Sequence, residues 1–285
     1  MILPQAIQAA TARALATGAL QPIDTDAVLH EDAGIRFILR TASSLARKDE
    51  ARRAPKVADP LGDYDPDLFV AELGPSHYLL LNKFNLLAGH VLIVTRRFEP
   101  QERLLTPEDF GALADCLREV DGLGFYNGGA EAGASQGRKH LQLVPVPLAP
   151  DSPDAVPMER ALDRDGAALP FAHAFARLPH AASGGDMHAL YRTLLRRAGI
   201  GAIGPAGGES HGAPYNLLVR RGWMLVVPRT RPCFEAIPLN ALGFAGSLFV
   251  RSREDLDRVR AVGPMQVLRA VARADTGPAD GTIAR

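Results

Sequence analysis

The stretch FYNGGAEAGASQGRKHLQLVPVP, residues 125–147, decides what this chain can fold into and what it can bind. A short apolar entry leads into a loop rich in Gly, Ala and Ser, and a strand-like run follows. Backbone N–H groups of such a loop can approach an anion closely, because glycine has no Cβ in the way. Side chains of a strand alternate between faces, so Arg138, His140 and Gln142 should share one face. A cation, an imidazole and an amide in one row beside this loop indicate a site that handles phosphate.

Length and charge bound the possible functions. The 285 residues suffice for one large domain or two closely packed ones. A hydrophobic fraction of 47% excludes a disordered chain. Lys plus Arg and Asp plus Glu each number 32, so the formal net charge is zero, which argues against a nucleic-acid partner. A small anionic ligand needs only a local cluster of cations and stays open, and no protein partner is evident.

Cysteine usage and the apolar runs suggest a compartment. Cys116 and Cys233 lie far apart without metal-type spacing, which favours a reducing environment and predicts no protein metal site. The first twenty residues lack a basic start and a continuous apolar core, so we read no secretion signal. The longest apolar runs are too short for a membrane span. We therefore expect a cytoplasmic protein with no membrane association.

Hydrophobic periodicity, together with the positions of Gly, Pro and capping residues, predicts helices and strands in a mixed order. Predicted helices cover residues 4–19, the stretch after the Thr106 cap, the stretch from Met187 to Arg197, and a final helix that Ser252 caps and Gly263-Pro264 breaks. Predicted strands cover 35–39, 68–72, 77–81, 90–95, 123–126, both arms of YNLLVRRGWMLVVPR, and 243–250. The pattern predicts an α+β fold with a largely antiparallel sheet and packed helices, and no dinucleotide-binding βαβ fingerprint is present.

Four segments carry a family resemblance: NKFNLLAGHVLIVTRRFEPQ, DGLGFYNGGAEAGASQGRKHLQLVPVPL, YNLLVRRGWMLVVPR and NALGFAGSLFVRSREDLDRVRAVGPM. They resemble ATP adenylyltransferases, also called diadenosine tetraphosphate phosphorylases, of the histidine triad and galactose-1-phosphate uridylyltransferase superfamily. Several long motifs in the expected order are a specific signal, unlike one short motif. The resemblance implies a histidine-triad-like catalytic region over residues 1–150 and a C-terminal adenylyltransferase region over 186–285, packed as one unit. Residues 151–185, which are rich in Pro, Ala and Gly, are predicted to be a linker or surface excursion between them.

The resemblance also implies an activity. In the family, diadenosine tetraphosphate (Ap4A) and inorganic phosphate become ATP and ADP through an adenylyl-histidine. The nucleophile is the second histidine of a His-x-His-x-Gln pattern, which is His140 here, and Gln142 is its glutamine. A neutral imidazole can attack the α-phosphorus and divide one difficult transfer into two easier ones. Mg²⁺ is expected to arrive on the polyphosphate and not on a protein site.

Substrate contacts follow from the same resemblance and from charge. Asn127, Ser135 and Gln136 match family positions that cradle phosphates. Lys83 is the candidate cation for the polyphosphate, and Lys48 is the first choice within the basic loop of residues 43–60. Arg138 stands where the family has the first histidine of its pattern. Arginine cannot accept a hydrogen bond, but it can bind phosphate in bidentate fashion.

Simpler interpretations stand beside these assignments. Without the resemblance, His140 would more often be a core or surface histidine, and Lys83 a solvated lysine. Asn127 could be a turn residue that tolerates positive φ. His77 and His90 are interpreted as structural. Two other functions also stay open: a dinucleoside polyphosphate hydrolase, in which water resolves the adenylyl-enzyme, and a nucleotide-binding regulator with weakened catalysis.

Overall fold

The structure is a computed structural model and describes residues 2–42, 59–163 and 169–275. The helices in these ranges are α1 Leu3–Thr17, α2 Pro107–Glu119, α3 Glu159–Leu162, α4 Gly184–Arg197, α5 Arg253–Val262 and α6 Pro264–Val271. The strands are β1 Thr25–Asp32, β2 Ile35–Ala42, β3 Phe69–Leu73, β4 His77–Leu81, β5 Val91–Thr95, β6 Gly122–Gly128, β7 His140–Pro145, β8 Ala174–Arg177, β9 Ala202–Ile203, β10 Ser210–His211, β11 Tyr215–Arg220, β12 Trp223–Pro228, β13 Cys233–Phe234, β14 Ile237–Pro238 and β15 Ser247–Val250. No helix in these ranges is long and apolar enough to cross a membrane.

An eight-stranded antiparallel sheet joins the first and second halves of the chain. Its order is β3-β4-β5-β7-β6-β11-β12-β8, so β6 from the first half pairs with β11 from the second. A smaller three-stranded sheet has the order β1-β2-β15, with β15 parallel to β2. The predicted α+β fold with a largely antiparallel sheet is confirmed.

Each face of the large sheet is covered by its own core. On one face, helices α1, α2 and α4 pack on alternate strand residues such as Leu141, Leu143 and Leu217. On the other face, the small sheet and helices α5 and α6 pack on the intervening residues, such as Val144 and Leu218. The period-2 alternation of the strands therefore sends successive side chains into two different cores.

Local signals mark the ends of several helices, and at α4 they place the start at Gly184, three residues before the predicted Met187. Thr106 and Asp109 form a capping box at the start of α2, and Ser183 and Asp186 form one at α4. Gly18 ends α1 in the left-handed conformation at φ 77°. The hairpin predicted around Arg221-Gly222 is the β11–β12 pair.

Three stretches differ from the sequence predictions. The strand predicted over 243–250 is wrong in its first half: Ala241–Ala245 is a 3-10 helix capped by Asn240, and the strand begins at Ser247. Strand β1 is missed because its sequence, TDAVLHED, is polar and only partly buried. The segment expected to be a linker supplies β8 to the sheet edge and buries Met158 and Phe171. The boundaries of the three predicted regions stay a prediction.

Candidate active site

Strand β7 lies in the middle of the large sheet and carries the predicted catalytic pair. His140 and Gln142 lie on the face opposite Leu141 and Leu143, whose side chains belong to the helix-covered core. Strand β7 is held on both sides, because β5 and β6 pair with it. The sheet therefore presents an imidazole and an amide in a defined register.

The hydrogen bonds of His140 define its tautomer. Its Nδ1 lies 2.8 Å from the carbonyl oxygen of Arg138. A carbonyl only accepts, so Nδ1 carries the proton and Nε2 keeps its lone pair. His140 is 5% exposed, and burial lowers the pKa of its imidazole from 6.5. A neutral ring with an available Nε2 lone pair is the chemical form that a nitrogen nucleophile needs.

Gln101 holds the backbone around this histidine. Its Oε1 accepts the backbone N–H of His140 at 2.9 Å, and its Nε2 donates to the carbonyl of Asn127 at 3.0 Å. Gln101 is itself buried. It thereby ties the start of β7 to the end of β6, where the glycine-rich loop begins.

A chain of three side chains sets the orientation of Gln142. Asn82 Nδ2 lies 3.1 Å from His90 Nδ1, and His90 Nε2 lies 2.9 Å from Gln142 Oε1. Since the asparagine amide donates, His90 accepts at Nδ1 and donates from Nε2. The oxygen of Gln142 is then occupied, and its Nε2 remains to donate to a ligand. The sequence interpretation of His90 as structural misses this contact, although the β4–β5 hairpin brings Asn82 and His90 together.

A cleft of about 250 Å³ lies beside these groups. Gln142 lines it, together with Asn127, Ser135 and Gln136, so the structure brings four of the predicted site residues together. His140 lies two residues before Gln142 on the same strand face and is not part of the cleft lining. The remaining polar lining includes Asn82, His90, Asn240 and Ser247, and the apolar lining includes Phe84, Leu86, Leu242, Leu248 and Phe249.

A buried network fixes the glycine-rich loop from behind. Asn216, paired opposite Asn127 across β11 and β6, donates from Nδ2 to Asn127 Oδ1 at 2.9 Å and to the Ala132 carbonyl at 2.8 Å. Arg229 donates to Asn216 Oδ1 at 2.5 Å. Burial lowers the pKa of Arg229 to about 10. The side-chain oxygen of Asn127 is thus committed to protein partners, since the backbone N–H of Ala241 also donates to it at 3.0 Å.

The loop backbone requires glycine at one position in particular. Gly133 has φ 91°, and a Cβ there would lie 2.7 Å from the carbonyl oxygen of Leu239. Both the conformation and the close approach exclude a side chain. The loop can therefore sit against the second half of the chain and present Ser135 and Gln136 to the cleft.

Arg138 does not line the cleft. Its Nε donates to Asp59 Oδ2 at 2.9 Å, a second guanidinium nitrogen contacts the same carboxylate, and Nη1 donates to the Thr95 carbonyl at 2.7 Å. Hydrogen bonds to Asp59 raise the pKa of Arg138, so the pair stays charged. The guanidinium predicted to bind phosphate is committed to protein groups, and its contribution to the site is the backbone carbonyl under His140.

The two predicted lysines have different positions. Lys83 is exposed and does not line the cleft; its Nζ lies 5.6 Å from the ring centroid of Phe84, which does. Lys48 lies outside the described residues. Among the described residues, no group of three or more His, Cys, Asp or Glu side chains could hold a metal ion.

Two family models together match nearly the whole chain. The Ap4A phosphorylase N-terminal domain matches residues 1–164, and the ATP adenylyltransferase C-terminal domain matches residues 167–274. Diadenosine 5',5'''-P1,P4-tetraphosphate phosphorylase 2 of Saccharomyces cerevisiae is 31% identical over 251 residues, covering 76% of this chain and 77% of that protein. Protein APA1 of the same yeast is 26% identical over 272 residues, covering 85% and 84%.

Solved structures have the same fold. Yeast Ap4A phosphorylase Apa2 has a TM-score of 0.81 at 23% identity, and its complex with Ap4A has a TM-score of 0.80 at 24% identity. Each comparison covers 97% of this chain and 100% of the other. The family resemblance predicted from the sequence is confirmed: the chain belongs to the family of Ap4A phosphorylases and ATP adenylyltransferases.

Proposed function

We propose that this protein phosphorolyses Ap4A with inorganic phosphate to ATP and ADP. The observation that carries the proposal is a neutral, Nδ1-protonated His140 beside Gln142 and a glycine-rich loop, within a chain of this family. A relative at 31% identity is named as an Ap4A phosphorylase, and a protein of the same fold has been solved with Ap4A bound.

In the first step, Nε2 of His140 attacks the α-phosphorus of one adenosine of Ap4A. A nitrogen–phosphorus bond forms, the bond to the bridging oxygen breaks, and ATP leaves with that electron pair. The ring becomes cationic, and its Nδ1–H stays bonded to the Arg138 carbonyl at 2.8 Å. The carbonyl dipole stabilises the developing positive charge. Any residue at position 138 supplies this carbonyl, so arginine at the first position of the pattern is compatible with catalysis.

In the second step, an oxygen of inorganic phosphate attacks the adenylyl group. The nitrogen–phosphorus bond breaks, ADP forms, and the ring returns to its neutral form. Both steps transfer the same adenylyl group, so the groups that stabilise the first transition state also serve the second. Gln142 Nε2, Ser135 and Gln136 are the proposed donors to the phosphate oxygens, because they line the cleft together.

Mg²⁺ is proposed to enter with the substrate. Polyphosphates carry this ion through their own oxygens, and its role would be to neutralise charge on the transferring chain. Lys83 and Lys48 are proposed to contribute to the same neutralisation. Cys116 and Cys233 are free thiols, which supports a reducing, cytoplasmic location.

The pH dependence follows from the burial of His140. Burial lowers its pKa from 6.5, so the imidazole stays unprotonated while pH falls through that value. The acid limb of the adenylylation rate should therefore have its midpoint below pH 6.5. The measurement is the single-turnover rate of ATP release without phosphate as a function of pH. Because phosphate is absent, its own ionisation does not contribute to the pH dependence. A midpoint at or above 6.5 would contradict the buried, neutral nucleophile.

Product analysis tests the reaction. Purified protein incubated with Ap4A, Mg²⁺ and phosphate should yield equal amounts of ATP and ADP, with steady turnover only when phosphate is present. AMP appearing in place of ADP, independently of phosphate, would identify a hydrolase. Binding of Ap4A without turnover would identify a regulator. Either outcome contradicts the proposed phosphorolysis.

A further inference from the structure

A buried hydroxyl in the cleft has no partner in the part of the chain that the structure describes. Ser247 opens strand β15, is 0% exposed and lines the cleft. Its Oγ is buried without a hydrogen bond. Buried polar groups in native structures are nearly always bonded, and each exception calls for an explanation. A ligand that brings its own polar atom is one such explanation.

The neighbours of Ser247 indicate what kind of ligand this is. Leu248 and Phe249, which follow it on β15, line the same cleft, as do Phe84 and Leu242. Arg251, just after the strand, and Asn240 add polar groups to this part of the lining. Apolar side chains with a few polar groups among them are suited to a flat heteroaromatic ring, which buries its faces and hydrogen-bonds at its edge. Phosphate, by contrast, requires hydrogen-bond donors such as Gln142, Ser135 and Gln136, which line the same cleft.

The large sheet and the small sheet both supply residues to the cleft lining. Gln142 comes from β7 of the large sheet, and Ser247 comes from β15 of the small one. A nucleotide lying across the cleft would place its phosphate beside Gln142 and leave its base to the wall that carries Ser247. This placement rests on the proposed function only in taking the ligand to be an adenine nucleotide.

We infer that Ser247 Oγ hydrogen-bonds the edge of the nucleobase and contributes to base selection. The backbone fixes the residue, because β15 pairs with β2 and the Ile38 N–H donates to the Gly246 carbonyl at 2.8 Å. A serine hydroxyl can donate or accept, so it can meet a ring nitrogen or the exocyclic amine. In the free protein the hydroxyl makes no hydrogen bond to the described residues, so its hydrogen-bonding contribution should appear only when the base is bound.

Binding of AMP by calorimetry tests this without requiring turnover. Ser247→Ala should weaken AMP binding by about three- to tenfold, the effect of one lost neutral hydrogen bond. The melting temperature of the free protein should stay unchanged or rise, because an unpaired buried hydroxyl is removed. Ser210→Ala is the matched control: this serine lies on the short strand β10 outside the cleft lining and should bind AMP like wild type.

Base-modified nucleotides separate the base from the ribose. Among AMP analogues that lack one ring nitrogen or the exocyclic amine, one should bind the wild-type protein more weakly than AMP does. Ser247→Ala should bind that analogue and AMP with equal affinity. Wild-type affinity of Ser247→Ala for AMP would overturn the inference. The inference would also be overturned if Ser247→Ala left the ratio of AMP affinity to analogue affinity unchanged for every base analogue. The same holds if the substitution equalised the two affinities only for analogues with a deoxyribose, because the contact would then be to the sugar. Because binding alone is measured, failure here is distinguishable from failure of phosphorolysis.

Discussion

Replacing His140 by alanine should lower the rate of Ap4A phosphorolysis on the order of 10⁴-fold or more, as expected for loss of a nucleophile. The reason is the tautomer. Nδ1 is bonded to the Arg138 carbonyl, so the ring offers Nε2 as a lone pair that an alanine lacks. Gln142 cannot replace it, because an amide nitrogen is not nucleophilic. Steady-state production of ATP and ADP measures the loss.

A matched control exists in the same chain. His173 Nδ1 lies 2.9 Å from the Phe171 carbonyl, the same contact two residues back that His140 makes, but His173 directly precedes the edge strand β8, whereas His140 shares β7 with the cleft residue Gln142. His173→Ala should keep activity within about twofold while losing a comparable contact. Circular dichroism of both variants excludes unfolding as the cause. Activity of His140→Ala above one per cent of wild type would be incompatible with an obligatory adenylyl-histidine.

Replacing Lys139 by methionine should destabilise the protein by about 3–5 kcal/mol, the cost of stranding a buried charge. Lys139 is 1% exposed, and its Nζ lies 2.8 Å from Asp109 Oδ2 and 2.6 Å from Glu99 Oε2. Asp109 is equally buried and also bonds His77 Nε2 at 2.8 Å. Methionine keeps the approximate length and apolar stem of lysine, so the decrease in the free energy of unfolding measures the effect of removing the charge. Urea unfolding at pH 7 measures it.

The pH dependence of this loss has a defined sign. Burial opposes ionisation of Asp109, but the His77 hydrogen bond and the Lys139 charge together outweigh it and lower its pKa. Without Lys139 the balance shifts toward the protonated acid, so the deficit should shrink as pH falls and Asp109 becomes neutral. Lys83→Met, at an exposed lysine, should change stability by less than about 0.5 kcal/mol. A deficit below about 1 kcal/mol, or one independent of pH, would contradict the buried ion cluster.

Much of the fold follows from local signals. The alternation in HLQLVP predicts that His140 and Gln142 share a face, and the structure has both on the face away from the helix-covered core. The Thr106 cap and the Arg221-Gly222 turn are encoded within a few residues, so the elements that they bound are predictable. Strand β1 is not, because its side chains are mostly polar and its pairing partner determines its structure.

The site depends on contacts that no local pattern encodes. Asn127 meets Asn216 across 89 positions of sequence, and Arg138 meets Asp59 across 79. A single sequence does not show such pairings, so Arg138 looked available for phosphate while its guanidinium is already bonded. The sequence also does not show that the Ser247 hydroxyl lacks a hydrogen-bond partner among the described residues, since this is a property of the folded cleft. His140 was identifiable because the residues around it form a pattern specific to one family.

Peptide mapping of the reaction intermediate tests the account most directly. Protein incubated with Ap4A in the absence of phosphate, and kept at alkaline pH because phosphoramidates are labile in acid, should carry one adenylyl group on the peptide that contains His140. Adding phosphate should release that group as ADP. Full phosphorolysis with no adenylyl group at His140, or with the group on another residue, would contradict the proposed mechanism.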